Sequence, residues 1–380
     1  AWSGPVSYTA NTQNPTRSGA LTTFTGSYSL TVTDGNGCSA TTATSVTVNP
    51  SPTVSNSSNS PVCETRTISL TSTPSGGNGS YTYLWSGPVA FSANTQNPTR
   101  TNAISSYGGA YNLTITDGNN CTASASTTIS VLPKPGAPTA GASPNPVCTG
   151  QTLSLSGTGS GASTWNWYGP NSFASTNQNP SIAGVTLAAA GTYSLYQTLS
   201  GCSSDTATVT VTVNSTPAAP VITTVVPNPV CTGQSVTFTA SGAGGATFSW
   251  TGPNSFSQSG NPVTIASAAL TNAGNYTVTQ TVTGCTSSAS APVTLTVNQT
   301  PTAATPTSNS PVCYGGTLNL FESTIPGATY SWSGPGFTSS LQNPTRTNAT
   351  PLMSGVYSVT VTVNGCSNTN SATVTATVTS

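Results

Sequence analysis

Five tryptophans, Trp2, Trp85, Trp167, Trp250 and Trp332, are separated by 83, 82, 83 and 82 residues. Each stands in the same local phrase: AWSGP, LWSGP, NWYGP, SWTGP, SWSGP. A period this constant marks one structural unit repeated in tandem. Tyr28, Tyr111, Tyr193, Tyr276 and Tyr357 keep the same beat, 26 residues after the Trp in four repeats and 25 in the last. The predicted domains are a partial repeat over 1–49, lacking the early strands, and full repeats over 50–132, 133–214, 215–298 and 299–380. The indole and phenol of each unit are expected in its core.

Inside a repeat the polarity alternates with period 2. In the fourth, Val236 and Phe238 share a face, as do Phe248 and Trp250. Tyr276, Val278, Gln280 and Val282 form a third set, and Val293, Leu295 and Val297 a fourth. Such alternation, with Thr and Ser between the apolar residues, is that of half-buried strands, and no segment has helical periodicity. Gly, Pro, Asn and Ser clusters separate the strands. Asp34-Gly35 and Asp117-Gly118 are read as hairpin turns with both central residues at positive φ. Pro-rich segments join the repeats, which predicts stiff, extended linkers. Part of each linker is also expected to form the first strand of the next unit.

The nine cysteines fall in two phrases. Cys63, Cys148, Cys231 and Cys313 follow Pro-Val, whereas Cys38, Cys121, Cys202, Cys285 and Cys366 stand in the second phrase, mostly Gly-Cys. Each full repeat holds one of each. The count predicts one disulfide inside each full repeat, Cys231 with Cys285 for example, and leaves Cys38 unpaired. Bonds between neighbouring repeats, such as Cys231 with Cys366, are the alternative. Either implies an oxidising, extracellular setting.

Charged residues make up 3% of the chain, with five basic and five acidic side chains and no histidine; ordinary soluble proteins carry roughly 25%. One Lys and four Arg cannot neutralise a row of phosphates, so no nucleic-acid partner is expected. No apolar run is long enough for a membrane span. With no His and no CxxC a zinc site is not expected, nor is a calcium site with so few acids per repeat. Glu64, Asp205 and Glu322 are isolated in sequence, and Ser without a base is no nucleophile. No catalytic residue, metal or cofactor is predicted, and the chain is read as no enzyme. Zero net charge removes the repulsion that keeps proteins apart, so self-association into a filament or bundle is expected.

The recurring order PVC, aromatic-x-W-x-GP, NP, G-x-Y and GC runs in the fourth repeat from Cys231 through Trp250, Asn261-Pro262, Gly274 and Tyr276 to Cys285. It resembles the immunoglobulin-like and PKD-like repeats of large secreted Bacteroidetes surface proteins, the group that includes gliding adhesins. The resemblance covers essentially the whole chain and implies an all-β tandem array of immunoglobulin-like β-sandwiches on the bacterial cell surface. The WDFGDG signature of PKD repeats is absent, and Val278 stands where the second cysteine of an immunoglobulin domain would fall. In a strict immunoglobulin frame the two cysteines of a repeat lie toward opposite ends of the domain. Within-repeat pairing would then need a different route for the first strand.

Three functions follow as expectations. The first is a structural fibre or adhesin stalk. The second is carbohydrate binding by the aromatics after the GP turn: Tyr8, Phe91, Phe173, Phe256 and Phe337. Those five are also expected as lids over the core, and the glycan partner is set against that reading. The third is ordering of water by Thr-lined strands. Asp205-Thr206-Ala207 resembles a Bacteroidetes O-glycosylation motif, with Thr206 as the acceptor. Ala1 falls inside a repeat, which predicts either a cut from a longer array or donation of the missing strands by another chain.

Overall fold

A computed structural model describes residues 1–159, 161, 164–368 and 371–380. The chain is all-β, its helical content limited to single 3₁₀ turns among the described residues. It forms two compact units. One holds Ala1–Ala142, Ser154–Ser181 and Gly191–Thr210; the other holds Ser143–Leu153, Ile182–Ala190 and Val211–Ser380.

The second repeat, in the first unit, shows the sandwich. One sheet has the order Thr99–Arg100, Ile68–Gly76, Pro52–Ser58. The other has the order Thr122–Ile129, Gly109–Asp117, Tyr81–Gly87, Phe91–Ala93. Between these sheets lie Ile68, Leu70, Trp85, Tyr111, Leu113 and Ile115, all at most 2% exposed. Burying one such side chain stabilises by about 1.5–3 kcal/mol. The Pro-Val-Cys strand, Val62–Cys63, pairs in parallel with Val131–Leu132 and so ties the first half of the repeat to its last strand. Two facing sheets joined this way make an immunoglobulin-like sandwich. In the second unit, the fourth and fifth repeats repeat the arrangement, with Val230–Cys231 parallel to Val297–Asn298 and Val312–Cys313 parallel to Val378–Thr379.

The W-x-G-P and G-x-Y phrases recur because they interlock. A Cβ on Gly87 would stand 2.7 Å from the Tyr111 ring, so only glycine lets the phenol lie against the Trp strand. The next residue, Pro88, packs on Gly109, whose φ of 138° suits glycine alone. A 3₁₀ turn at Ser105–Tyr107 brings the chain into the Tyr strand, and the Tyr111 hydroxyl donates back to Tyr107 O at 3.1 Å. Tyr28, Tyr276 and Tyr357 make the same bond four residues back, at 3.0, 2.8 and 2.8 Å. This is the tyrosine corner of immunoglobulin-like sandwiches.

The hairpins differ from expectation in one respect. Asp34 and Asp117 do shape turns, Asp34 accepting backbone N–H bonds from Asn36 and Cys38 and Asp117 from Asn119, Cys121 and, across the sheet, Asn78. Positive φ, however, falls on Gly37 and Asn120, at the end of a three-residue loop, and not on the Asp-Gly pair. Two consecutive residues at positive φ occur after the GP instead, at Val6-Ser7, Val89-Ala90, Asn171-Ser172 and Asn254-Ser255. The last repeat has only Gly336 in that turn, which accounts for its Trp–Tyr spacing of 25.

The first repeat is one sheet, in the order Tyr8–Ala10, Trp2–Gly4, Gly26–Thr33, Ser39–Val46. With no second sheet on it, Trp2 is only half-buried, unlike the other four repeat tryptophans at 0–1%. The expectation of a core Trp2 therefore holds only for a covered repeat.

Candidate functional site at the crosslinked joints

The cysteines contradict the expected pairing. Cys63 bonds Cys202, Cys148 bonds Cys285 and Cys231 bonds Cys366, each with a Cα–Cα distance of 5.6 Å. Every bond runs from the Pro-Val-Cys strand of one repeat to the Gly-Cys hairpin of the next. Cys38, Cys121 and Cys313 are free. Cys121 and Cys313 were thus expected in bonds that do not form.

Strand direction explains the correction. Cys63 lies beside Leu132, at the far end of the last strand, whereas Cys121 sits in the hairpin that begins it. Eleven residues of extended chain separate those positions, about 36 Å at 3.3 Å per residue. A disulfide needs Cα atoms within about 7 Å, so bonding inside a repeat is excluded. The end of the last strand faces the following repeat, and the sulfur finds its partner there.

Hydrogen bonds secure the same joints. The Asn214 side chain donates to Thr283 O at 2.8 Å, and Asn298 donates to Asn364 O at 2.9 Å. The residue after the Pro-Val-Cys cysteine holds the start of the linker. Thr149 accepts the Thr216 N–H at 2.9 Å while the Thr216 hydroxyl donates to Thr149 O at 2.8 Å. Thr232 and Thr300 do the same at 2.9 and 2.9 Å. Further along, buried Gln280 donates to Ala218 O at 2.7 Å, so both ends of that linker are held. Between the second and third repeats, charge takes over this work. Glu64 accepts the Lys134 N–H at 3.2 Å, and Lys134 Nζ lies 2.5 Å from Asp205. Gln197 donates to Gly136 O at 2.7 Å.

The five aromatics after the GP turn are half-buried. Tyr8, Phe91, Phe173, Phe256 and Phe337 each meet the repeat's tyrosine edge-to-face, with ring centroids 5.5, 5.2, 5.5, 5.2 and 6.0 Å apart. These contacts are those of a lid over the core. Three repeats add a clamp that the sequence reading missed. Arg100 Nη1 donates to Pro88 O at 2.8 Å and to the Tyr111 hydroxyl at 3.1 Å, with its guanidinium 3.2 Å from the Tyr107 ring centroid. Arg17 and Arg346 repeat it on Tyr28 and Tyr357. The available signal was the phrase NPTR, which recurs in those three repeats only.

The exposed hydroxyls largely serve one another. Thr251 with Thr277, Thr281 with Thr286, Thr237 with Thr264 and Ser333 with Ser358 stand 2.9, 2.9, 3.0 and 2.8 Å apart across strands. Thr206 is exposed on an irregular segment. Glu322 is buried and accepts the Thr305 and Ser323 N–H groups at 3.2 and 2.9 Å. Among the described residues no three His, Cys, Asp or Glu side chains converge, and no helix is long and apolar enough to cross a membrane.

No protein-family model matches the chain, and no curated protein matches it. Among solved structures it is similar to the N-terminal eight Ig domains of Down Syndrome Cell Adhesion Molecule, at 14% identity and a TM-score of 0.33, covering 100% of this chain and 64% of that one. An I-band fragment of titin is similar at 12% identity and a TM-score of 0.34, covering 67% of this chain and 100% of the fragment. Three N-terminal domains of the highly immunogenic outer capsid protein of bacteriophage RB49 are similar at 14% identity and a TM-score of 0.29, covering 66% and 98%. The chain spans about two thirds of the length of the first of these.

Proposed function

We propose that the chain is a covalently laced, non-catalytic segment of an extracellular fibre or adhesin stalk, built from five immunoglobulin-like units. The observation that carries this reading is the repeated disulfide from each Pro-Val-Cys strand to the following Gly-Cys hairpin. A disulfide inside one domain stabilises that domain alone. A bond that instead staples one domain to the next contributes where tension passes between domains. Such bonds persist only in an oxidising compartment, and the resemblance to secreted bacterial surface repeats agrees with that placement. Nearly uncharged, hydroxyl-covered strands also suit lateral contact with neighbouring copies.

The test is mechanical. The chain is inserted between a surface anchor and a tip domain of known ligand, and tether survival is measured under flow. Oxidised tethers are expected to outlast reduced ones. Equal survival, or glycan-array binding abolished by Phe256→Ala, overturns the stalk reading in favour of a binding module.

A further inference from the structure

We propose that the outer sheet face of the third repeat is a shallow binding site for a neutral glycan, with Tyr168 and Tyr196 as its stacking platform and Asn166 and Asn177 as its hydrogen-bonding groups. The inference is separate from the fibre reading, since a stalk can carry one such site or none.

The first observation is a departure from the repeat. Tyr168 follows the core Trp167, and Tyr196 stands three residues after the core Tyr193. The other four repeats hold hydroxyl residues at both positions: Ser3 and Thr31, Ser86 and Thr114, Thr251 and Thr279, Ser333 and Thr360. Side chains alternate across a strand, so with Trp167, Tyr193 and Leu195 buried, Tyr168 and Tyr196 point outward. Tyr168 pairs with Ser194 and Asn166 with Tyr196, which makes the two phenols diagonal neighbours across the strands. Their rings lie 13° from parallel with centroids 6.1 Å apart, and Tyr168 is 50% exposed. The two changes thus occur together and in contact, at positions where every other repeat keeps a small hydroxyl.

The second observation is a groove beside the pair. It holds about 370 Å³, within the ~300–1,000 Å³ of small-ligand sites, and is lined by Asn166, Tyr168, Ala174, Ser175, Thr176 and Asn177. Its polar groups are amides and hydroxyls. The third repeat has two charged side chains, Lys134 and Asp205, and these pair with each other 2.5 Å apart. A site with donors and acceptors but no charge suits a polar, uncharged ligand. The negative face of a phenol attracts polarised C–H bonds, which a pyranose with equatorial hydroxyls presents on both ring faces. Carboxamides can donate to and accept from its hydroxyls. A protein partner fits less well. With Tyr168 half exposed and Tyr196 more buried, the pair offers at most about 250 Å². A stable protein interface takes about 800 Å² per partner.

The test is isothermal titration of the full oxidised chain with two neutral hexasaccharides, cellohexaose and chitohexaose, and with a galacturonate hexamer as the charged control. At least one neutral hexamer is expected to bind, and the control is not. The double variant Tyr168→Thr with Tyr196→Thr should weaken binding at least tenfold. It carries the residues of the fourth repeat at these positions, so the sandwich tolerates it, and an unchanged thermal midpoint checks this. Tyr168→Phe keeps the ring and should stay within threefold. Asn166→Ala should weaken binding without abolishing it. Binding of neither neutral hexamer overturns the proposal, as does an affinity that the double variant leaves unchanged. If the double variant instead abolishes self-association in sedimentation velocity and neither sugar binds, the pair serves a second copy of the chain and the proposal fails.

Discussion

Staggered crosslinks set how far this chain can be drawn out, and the limit can be worked from the bonding pattern alone. When the oxidised protein is pulled from its two ends and every repeat unfolds, tension follows the shortest covalent route. That route runs through residues 1–63, crosses to 202–231, and crosses again to 366–380. It contains about 105 residues, or about 360 Å at 3.4 Å per residue. The fully reduced chain should extend to about 1,300 Å on the same scale. Pairing inside each repeat would leave a route of about 160 residues, about 540 Å, and so is distinguishable. Two double variants sharpen the test. Replacing Cys148 and Cys285 with serine removes a bond that the shortest route never uses, and the limit should stay where it was. Replacing Cys231 and Cys366 forces the route back through Cys148–Cys285, and the limit should double to about 210 residues, about 720 Å. Single-molecule force spectroscopy with both ends attached reads these lengths directly. An oxidised limit near 540 Å, or a shift on removing Cys148–Cys285, refutes the reasoning.

Other expectations are simpler. Alkylation without reduction should add three groups per molecule, on Cys38, Cys121 and Cys313, by peptide mass mapping. Gly87→Ala should destabilise the second repeat by about 1–3 kcal/mol in denaturant unfolding, because the added methyl meets the Tyr111 ring; Trp250→Ala should cost its own repeat about 3–5 kcal/mol. Arg100→Ala should cost about 2–3 kcal/mol, since it removes a charged hydrogen-bond donor and a cation–π contact at once. Burial pushes the Asp117 carboxyl up, but backbone N–H groups of Cys121, Asn78 and Asn119 outweigh it and hold the group below its ordinary value. Its contribution is therefore present above the unfolded pKa near 4 and is lost as pH falls through the lower folded value. Asp117→Asn should flatten that acid limb in a thermal-midpoint series. At the other extreme, burial raises the Tyr276 phenol, so its contribution is lost as pH climbs above about 10.

Much of the fold was legible because the sandwich is written by spacing. Trp85, Tyr111 and the glycines between them recur at fixed intervals since each contacts the others, and period-2 alternation placed Val236, Phe238 and Val278 correctly inside. The joints were not legible for a physical reason. Composition counts cysteines per repeat, yet pairing depends on which end of a strand each occupies. Only the parallel match of Val62–Cys63 with Val131–Leu132 reveals that the two phrases stand at opposite ends. The warning lay in the immunoglobulin frame, which set those phrases far apart. The arginine clamp was missed because a single guanidinium carries no period, although its phrase does.

Overlap among the three bonded loops has one more consequence. The spans 63–202, 148–285 and 231–366 share ground, so no peptide link between Cys63 and Cys366 is indispensable to covalent continuity. A protease that hydrolyses one exposed loop there leaves the fragments tied through sulfur. A cut chain becomes visible as two bands only once a reductant is added, so a single scission between those cysteines is survivable.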